Sequence, residues 1–167
     1  MDVFLLRHGK AEAATVRGGD AERRLTKNGR EDILAGALGM AAQGLEFDLI
    51  AASPFARAQE TAAIVSGVLE MDKEPETWDV LVPGGRPDSV MHEIGRYETF
   101  SAILLVGHEP LLSSLISRII SGDENTGIVM TKGGLAKIRN FSFAGRPSGE
   151  LHWLLTGKQL ALSNVKR

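Results

Sequence analysis

The chain has 167 residues, of which 43% are hydrophobic and 24% charged, a composition typical of one globular domain with its own core. It contains no cysteine, which excludes disulfides, thiolate metal sites and cysteine nucleophiles. The formal net charge is −2, from 19 basic and 21 acidic residues, so neither nucleic acid nor an anionic membrane is expected as a partner. We expect a single domain over residues 1–167.

The amino-terminal segment does not have the pattern of a secretory signal. Asp2 stands where a signal peptide needs basic residues, and the apolar run after it ends at Arg7. No stretch of the sequence approaches the roughly 18 uncharged residues of a membrane helix. We therefore expect a cytoplasmic protein.

The first half of the chain predicts two strands with a helix between them. Val3 to Leu6 is a β-prone apolar run that ends at Arg7. Residues 10–25 are rich in alanine, glycine and charge and predict a surface loop. Thr26 is the predicted N-cap of the helix, and residues 47–52 form the second buried strand.

The rest of the chain alternates helices and strands and then changes pattern. Ser53 and Pro54 are predicted as the N-cap and first residue of a helix that runs to about Leu69. The later predictions are a short strand at 77–81, a short helix at 88–97, a strand at 102–106, a helix at 111–120 and two strands at 135–143 and 150–155 joined by a turn. This order predicts an α/β fold, a three-layer sandwich with a mostly parallel central sheet and an antiparallel edge.

Basic side chains cluster where the predicted strands end. Arg7, His8 and Gly9 follow the first strand, Arg57 lies just beyond the second, and His108 follows the third. Ligands of open α/β sheets bind at the carboxyl ends of the strands, so these residues are expected at one rim. Two guanidinium groups and two imidazoles offer anion forks and a nitrogen nucleophile, which favours a phosphoryl group as the ligand.

The motifs around these residues resemble those of the histidine phosphatase superfamily, whose fold is phosphoglycerate mutase-like. The motifs are Arg7-His8-Gly9, Ser53-Pro54-x-x-Arg57-Ala58 and Gly107-His108. Within that superfamily, Leu25-Thr26-x-x-Gly29 and Gly107-His108-Glu109-Pro110 are similar to the SixA-type phosphohistidine phosphatases. The resemblance covers nearly the whole chain.

The resemblance implies that His8 is the nucleophile of a metal-independent phosphatase and forms a covalent phosphohistidine that water hydrolyses. Arg7, Arg57, His108 and Gly9 would then hold the phosphoryl oxygens, and no cofactor is implied. A nucleophilic imidazole must be neutral, and we expect the neighbouring guanidinium groups to lower the pKa of His8. The implied partner is a phosphohistidine-bearing protein of signal transduction, either a histidine phosphotransfer domain or a phosphotransferase-system carrier, and the chain itself would be a monomer.

A general acid is not evident in the sequence. Larger members of the superfamily use a carboxylic acid to protonate an alcohol leaving group, and Glu109, Asp79 and Glu12 are candidates here. Glu109 precedes Pro110 and also fits a helix-capping role. The lack of a clear general acid favours hydrolysis of a P–N bond, because an imidazole that is protonated on its other nitrogen leaves more easily than an alkoxide.

Other functions stay open from the sequence. A small-molecule phosphomonoesterase of the same superfamily would need one of these acids, and a phosphate- or phosphoprotein-binding module would bind without turnover. The small residues Gly36, Gly39 and Ala42 would suit a scaffold interface. The first-loop arginines, which are Arg17, Arg23 and Arg24, would suit docking of an acidic partner.

Overall fold

A computed structural model describes residues 1–14 and 18–164 of the chain. Its strands are β1 (Asp2–Arg7), β2 (Leu49–Ala52), β3 (Glu76–Thr77), β4 (Ala102–Gly107), β5 (Leu135–Ser142) and β6 (Ser148–Leu155). Its α-helices are α1 (Lys27–Ala42), α2 (Ala56–Val68), α3 (Pro87–Ile94), α4 (Leu111–Ser121) and α5 (Gly157–Leu162), and 3₁₀ turns span Asp20–Glu22, Asp79–Leu81 and Gly95–Tyr97.

The strands form one six-stranded sheet in the order β3-β2-β4-β1-β5-β6. The first four in this order pair in parallel, whereas β5 runs antiparallel to β1 and β6 antiparallel to β5. The predicted α/β sandwich with an antiparallel edge is therefore confirmed. The strand predicted at 77–81 is shorter than expected, because the two-residue β3 passes directly into a 3₁₀ turn.

The apolar run of β1 is continuous because both faces of the central sheet are covered by helices. Val3 and Leu5 belong to the core cluster that includes buried residues of α3 and α4. Phe4 and Leu6 point to the opposite face and join the cluster with α1, α2 and α5. Alternate residues of a strand face opposite sides, so a strand buried on both sides needs an apolar side chain at every position.

The start of α1 is tied to the chain that follows β1. The Thr26 hydroxyl accepts the Gly29 N–H at 2.9 Å, which confirms the predicted N-cap. The Thr26 N–H donates to the Lys10 carbonyl at 2.9 Å. A Cβ on Gly29 would lie 2.1 Å from that same carbonyl oxygen, so only glycine allows this approach.

Helix α2 begins later than the sequence indicates. Its N-cap is Phe55 and its first residue is Ala56, so the prediction of Ser53 as N-cap and Pro54 as first helical residue was wrong. The Ser53 hydroxyl still accepts the Phe55 N–H at 3.3 Å, a turn just before the helix. This leaves the Ser53 side chain at the rim of the sheet rather than at a helix end.

The carboxyl-terminal helix α5 was not expected from the sequence. It starts with a capping box in which Thr156 and Gln159 exchange side-chain and backbone hydrogen bonds. Its Leu160 packs on Gly36 and Gly39, and a Cβ on Gly39 would lie 2.0 Å from the Leu160 carbonyl oxygen. The small residues suggested as an interface between chains therefore make room for a helix of the same chain, apart from the exposed Ala42.

Within the described residues, no helix is long and apolar enough to span a membrane.

Candidate active site

The predicted site residues meet at the carboxyl ends of β1 and β4. The His8 N–H donates to the Gly107 carbonyl at 3.1 Å and thereby extends the pairing of the two strands. The ring centroids of His8 and His108 lie 4.8 Å apart. Arg57 reaches the same point from the first turn of α2, which follows the neighbouring strand β2. The rim predicted from the sequence thus exists.

One nitrogen of His8 is fixed as a donor and the other is left as a base. Nδ1 lies 2.7 Å from the Gly9 carbonyl oxygen, which can only accept, so Nδ1 carries the proton. The lone pair is therefore on Nε2, which accepts the Nε–H of Arg57 at 3.3 Å. His8 is 7% exposed, so its imidazole is largely shielded from water and lies beside the Arg57 cation.

Gly9 supports this orientation from a tightly packed position. Its N–H donates to the Thr61 hydroxyl at 3.2 Å, and a Cβ at Gly9 would lie 2.7 Å from Ile33 Cγ1. A side chain here would displace the carbonyl that holds His8. The phosphate contact that the sequence predicts for Gly9 stays a prediction.

Arg57 is held by a residue of the first loop. Its Nη1 donates to the Asp20 carbonyl oxygen at 2.7 Å, and its Nη2 donates to Asp20 Oδ2 at 3.0 Å. The Arg57 side chain is 6% exposed and that of Asp20 is 52% exposed. No sequence motif singles out Asp20, which lies in the short 3₁₀ turn of the loop.

Ser53 orients the second histidine. His108 Nε2 lies 2.8 Å from the Ser53 hydroxyl oxygen, which already accepts the Phe55 N–H. The Ser53 proton can then be donated to Nε2, which leaves the proton of the neutral His108 ring on Nδ1. Nδ1 is buried and has no hydrogen-bond partner among the described residues. The sequence predicted only a helix-capping role for Ser53, and this contact shows that its hydroxyl instead orients His108.

Arg7 is clamped by the segment that leads into β5. Its Nη1 donates to the Met130 carbonyl at 2.7 Å. Its N–H donates to Gly134 and its carbonyl accepts from Gly133, both at 3.0 Å. The guanidinium of Arg7 is thereby fixed by main-chain atoms, and its buried Nε has no partner among the described residues.

Comparisons with known proteins relate this chain to histidine phosphatases. The sequence profile of the histidine phosphatase superfamily (branch 1) matches residues 3–82. The chain is 29% identical to phosphohistidine phosphatase SixA of Escherichia coli over 99% of both chains. It is 32% identical to a SixA homologue of Haemophilus influenzae over 71% of this chain and 77% of that protein. A solved structure of SixA complexed with tungstate superimposes with a TM-score of 0.84 at 26% identity, covering 96% of this chain and 99% of that one.

This chain belongs to the histidine phosphatase superfamily. It is a phosphatase, and the SixA-type proteins are among its relatives. The resemblance inferred from the sequence motifs is confirmed at this level.

Both histidines of the phosphatase are neutral around physiological pH. Burial lowers the pKa of His8 to about 4, the hydrogen bond to the Gly9 carbonyl opposes this shift, and Arg57 and Arg7 add smaller lowering contributions. Burial also lowers the pKa of His108 to about 3, helped by His8. Guanidinium charge, which the sequence analysis took as the cause, is therefore secondary to desolvation. A protonated His108 would require the charge of a bound phosphate.

The three candidate acids lie in different settings. Glu109 caps α4, since its Oε1 accepts the Ser113 N–H at 3.0 Å. Asp79 is exposed in the turn after β3, and Glu12 is exposed in the first loop. Among the described residues, none of the three carboxylates hydrogen-bonds to the two arginines and two histidines of the site.

The two described arginines of the first loop each form an ion pair with an acidic side chain. Arg23 pairs with Asp20 at 2.8 Å, and Arg24 pairs with Glu60 of α2 at 2.6 Å. Arg17 lies outside the described residues. The docking surface considered from the sequence thus has partnered charges at Arg23 and Arg24, and these contacts hold the loop against α2.

The low pKa values of the two histidines predict a loss of stability in mild acid. An unfolded histidine has a pKa near 6.5. Below that pH the two histidines therefore bind protons in the unfolded chain, whereas His8 and His108 stay neutral in the folded chain. The two neutral histidines contribute fully to the free energy of unfolding above pH ~6.5. As the pH drops toward ~4, the free energy of unfolding falls by on the order of a few kcal/mol. Urea unfolding at pH 7 and pH 5 should show this loss in wild type and a smaller one in a His8→Asn/His108→Asn variant. Equal losses in both proteins would contradict the assignment.

Proposed function

We propose that this phosphatase hydrolyses phosphohistidine on a partner protein through a covalent phosphohistidine on its own His8. The observation that carries the proposal is the fixed tautomer of His8. Its Nδ1–H is held by the Gly9 carbonyl at 2.7 Å, and its Nε2 lone pair faces Arg57 Nε at 3.3 Å. A neutral, oriented imidazole beside an anion-binding guanidinium is what nucleophilic attack on a phosphoryl group requires.

In the first step, a phosphoryl oxygen of the substrate replaces Nε2 of His8 as the acceptor for Arg57 Nε–H. The freed lone pair attacks phosphorus in line, the new N–P bond forms, and the N–P bond to the partner's imidazole breaks. The departing imidazole keeps the electron pair of that bond and is neutral when its other nitrogen carries a proton. Arg7, Arg57 and the Nδ1–H of His108 stabilise the equatorial oxygens during transfer.

In the second step, water attacks the phosphorus bound to His8. The bond to Nε2 breaks, the Nε2 lone pair is restored, and both protons of the water leave with the inorganic phosphate as dihydrogen phosphate. Nδ1 keeps its proton and its bond to Gly9 throughout. The same three cationic or donor groups serve both steps, because the phosphoryl group stays in place while its partner changes from imidazole to water.

The carboxylates near the site favour a P–N bond as the substrate. Asp20 is the one that contacts Arg57, and hydrogen bonds from Arg23 and then Arg57 hold its pKa below the usual range, so it is not a proton donor. Glu109 is engaged in capping α4. An alkyl phosphate needs a donor for its alkoxide, whereas an imidazole leaving group does not.

The proposed partner is a histidine phosphotransfer domain or a phosphotransferase-system carrier in the cytoplasm. Support comes from the E. coli and H. influenzae relatives, whose names describe phosphohistidine phosphatases. Such a partner would place the phosphatase in signal transduction, where it would remove phosphoryl groups from a relay.

The test is a rapid quench without acid, using ³²P-labelled phosphohistidine protein and wild-type enzyme. Label on the enzyme that is stable to alkali, labile to acid and absent from His8→Asn is the expected result. A phosphoserine protein measured in parallel should turn over far more slowly, because its alkoxide leaving group lacks an acid.

Two outcomes would overturn parts of the proposal. Release of phosphate without label on histidine at any time point would indicate direct attack by water. Faster turnover of the phosphoserine protein would indicate a phosphomonoesterase, and one of the three candidate carboxylates would then have to act as the acid.

A further inference from the structure

The contact between Arg57 and the first loop leaves one edge of the guanidinium available. Asp20 takes the end of the group, with its carbonyl oxygen on Nη1 at 2.7 Å and its Oδ2 on Nη2 at 3.0 Å. The side edge consists of Nε–H and the second N–H of Nη2, and Nε points at His8 Nε2 at 3.3 Å. A planar guanidinium can bind one oxyanion at each of these edges.

We propose that Asp20 is a positioning residue that holds Arg57 with its side edge toward the phosphoryl group on His8. The inference rests on the proposed function, because it assumes that Arg57 binds the transferring phosphoryl group. Asp20 itself need not touch the substrate. It fixes the rotation of the guanidinium, and the side edge then meets the phosphoryl oxygens next to the nucleophile.

Asp20 is itself held in place. Its other oxygen, Oδ1, accepts Arg23 Nη1 at 2.8 Å, and Arg23 Nε donates to the Glu12 carbonyl at 2.7 Å. Because one carboxylate oxygen is used for each arginine, the orientation of Asp20 is determined from both sides. This chain of contacts links the first loop to the catalytic guanidinium.

A competing interpretation is that Asp20 imitates the phosphate and blocks the site. A carboxylate acting in this way would occupy the side edge of Arg57, next to His8, where the phosphoryl group has to bind. Asp20 occupies the end edge instead, so a substrate oxygen can reach Nε without displacing it. The geometry therefore favours support over inhibition.

The charge of Asp20 acts on the site in a second way. It raises the pKa of His108, although burial, His8 and Arg57 together lower that pKa by more than Asp20 raises it. When a phosphate dianion binds, the carboxylate adds to the negative charge that favours a protonated His108. Removing the carboxylate should therefore shift the pH dependence of turnover as well as its rate.

The test compares Asp20→Ala and Asp20→Asn with Arg24→Ala in steady-state kinetics on a phosphohistidine protein. Arg24→Ala is the matched control, since Arg24 holds the same loop to Glu60 and does not contact Arg57. For Asp20→Ala we expect kcat to fall about 10- to 100-fold with KM changed less than about threefold, because Arg57 keeps its charge and loses its orientation. Asp20→Asn keeps an oxygen acceptor for Nη2 and should recover most of the loss, and Arg24→Ala should stay near wild type.

Three results would overturn the inference. A rise in kcat/KM, or tighter inhibition by inorganic phosphate, in Asp20→Ala would identify Asp20 as a competitor of the substrate. Equal losses in Asp20→Ala and Arg24→Ala would reduce its role to loop anchoring, and wild-type kcat in Asp20→Ala would remove any role. Arg57→Lys measured in the same assay separates the two levels, because an Arg57→Lys enzyme within about tenfold of wild type would contradict the binding of the phosphoryl group by Arg57, on which this inference rests.

Discussion

The His8→Asn variant is expected to lose turnover of a phosphohistidine protein by about 10,000-fold or more. The asparagine amide can still donate to the Gly9 carbonyl in place of Nδ1, so the local fold is kept. It has no counterpart of Nε2, and no bond to phosphorus can form. Steady-state release of phosphate, measured over hours at high enzyme concentration, gives the residual rate.

Binding of inorganic phosphate to His8→Asn should survive within about tenfold, since the guanidinium groups carry most of the attraction. The matched control is His92→Asn, which changes an exposed histidine on α3 and should retain wild-type activity. If His8→Asn turns over substrate within about 100-fold of wild type, another group is the nucleophile.

Replacing Arg57 by lysine should reduce kcat by about 1,000-fold, although the charge is retained. An ammonium group lacks the planar fork that donates to Asp20 with two nitrogens and to His8 with the third. It can attract a phosphate but cannot orient it for in-line transfer. Stopped-time assays at saturating substrate measure the change in kcat directly.

The control for this substitution is Arg118→Lys. Arg118 is an arginine of α4 that pairs with Asp88 at 3.2 Å, outside the site. The Arg118→Lys enzyme should retain wild-type kcat, which would show that an arginine-to-lysine change outside the site is tolerated. An Arg57→Lys enzyme within about tenfold of wild type would rule out the proposed binding geometry.

The sheet was predictable because its signals are local in sequence. Strands β1, β2 and β4 are short apolar runs followed by turns, and helix α1 is preceded by a recognisable cap at Thr26. The start of α2 was misplaced, because Ser53 and Pro54 fit a helix start in sequence while the hydroxyl is used by His108 in the fold. Tertiary contacts overrode a local preference there.

Helix α5 was missed although it carries a readable signal. Thr156 and Gln159 have the spacing of a capping box, but only six residues follow the cap and half of them are exposed. Helical periodicity needs a longer segment to become visible. The glycines of α1 that contact Leu160 fit equally well an interface between chains, because the sequence does not show that α5 packs on them.

Some residues of the site could be predicted from the sequence and others could not. The residues that follow strands could be placed at one rim by a topological rule, and the fold brings Arg7, His8, Arg57 and His108 there. Asp20 could not be found, because it is separated from Arg57 by 37 residues and lies in a loop without periodicity. Likewise, which cause dominates the pKa of His8 depends on burial, which the sequence does not specify.

The hydrogen bonds that hold Arg7 and Arg57 in the site join parts of the chain that are far apart in sequence. The contact from Arg7 to Met130 spans 123 residues, and that from Arg57 to His8 spans 49. Forming contacts this distant in sequence requires the loss of loop entropy before the contacts can stabilise the fold. A nascent or partly folded chain that has β1, α2 and β4 in place still lacks the segment that fixes Arg7. We therefore expect phosphatase activity only once this segment has packed against Arg7, so a partly folded chain should be inactive.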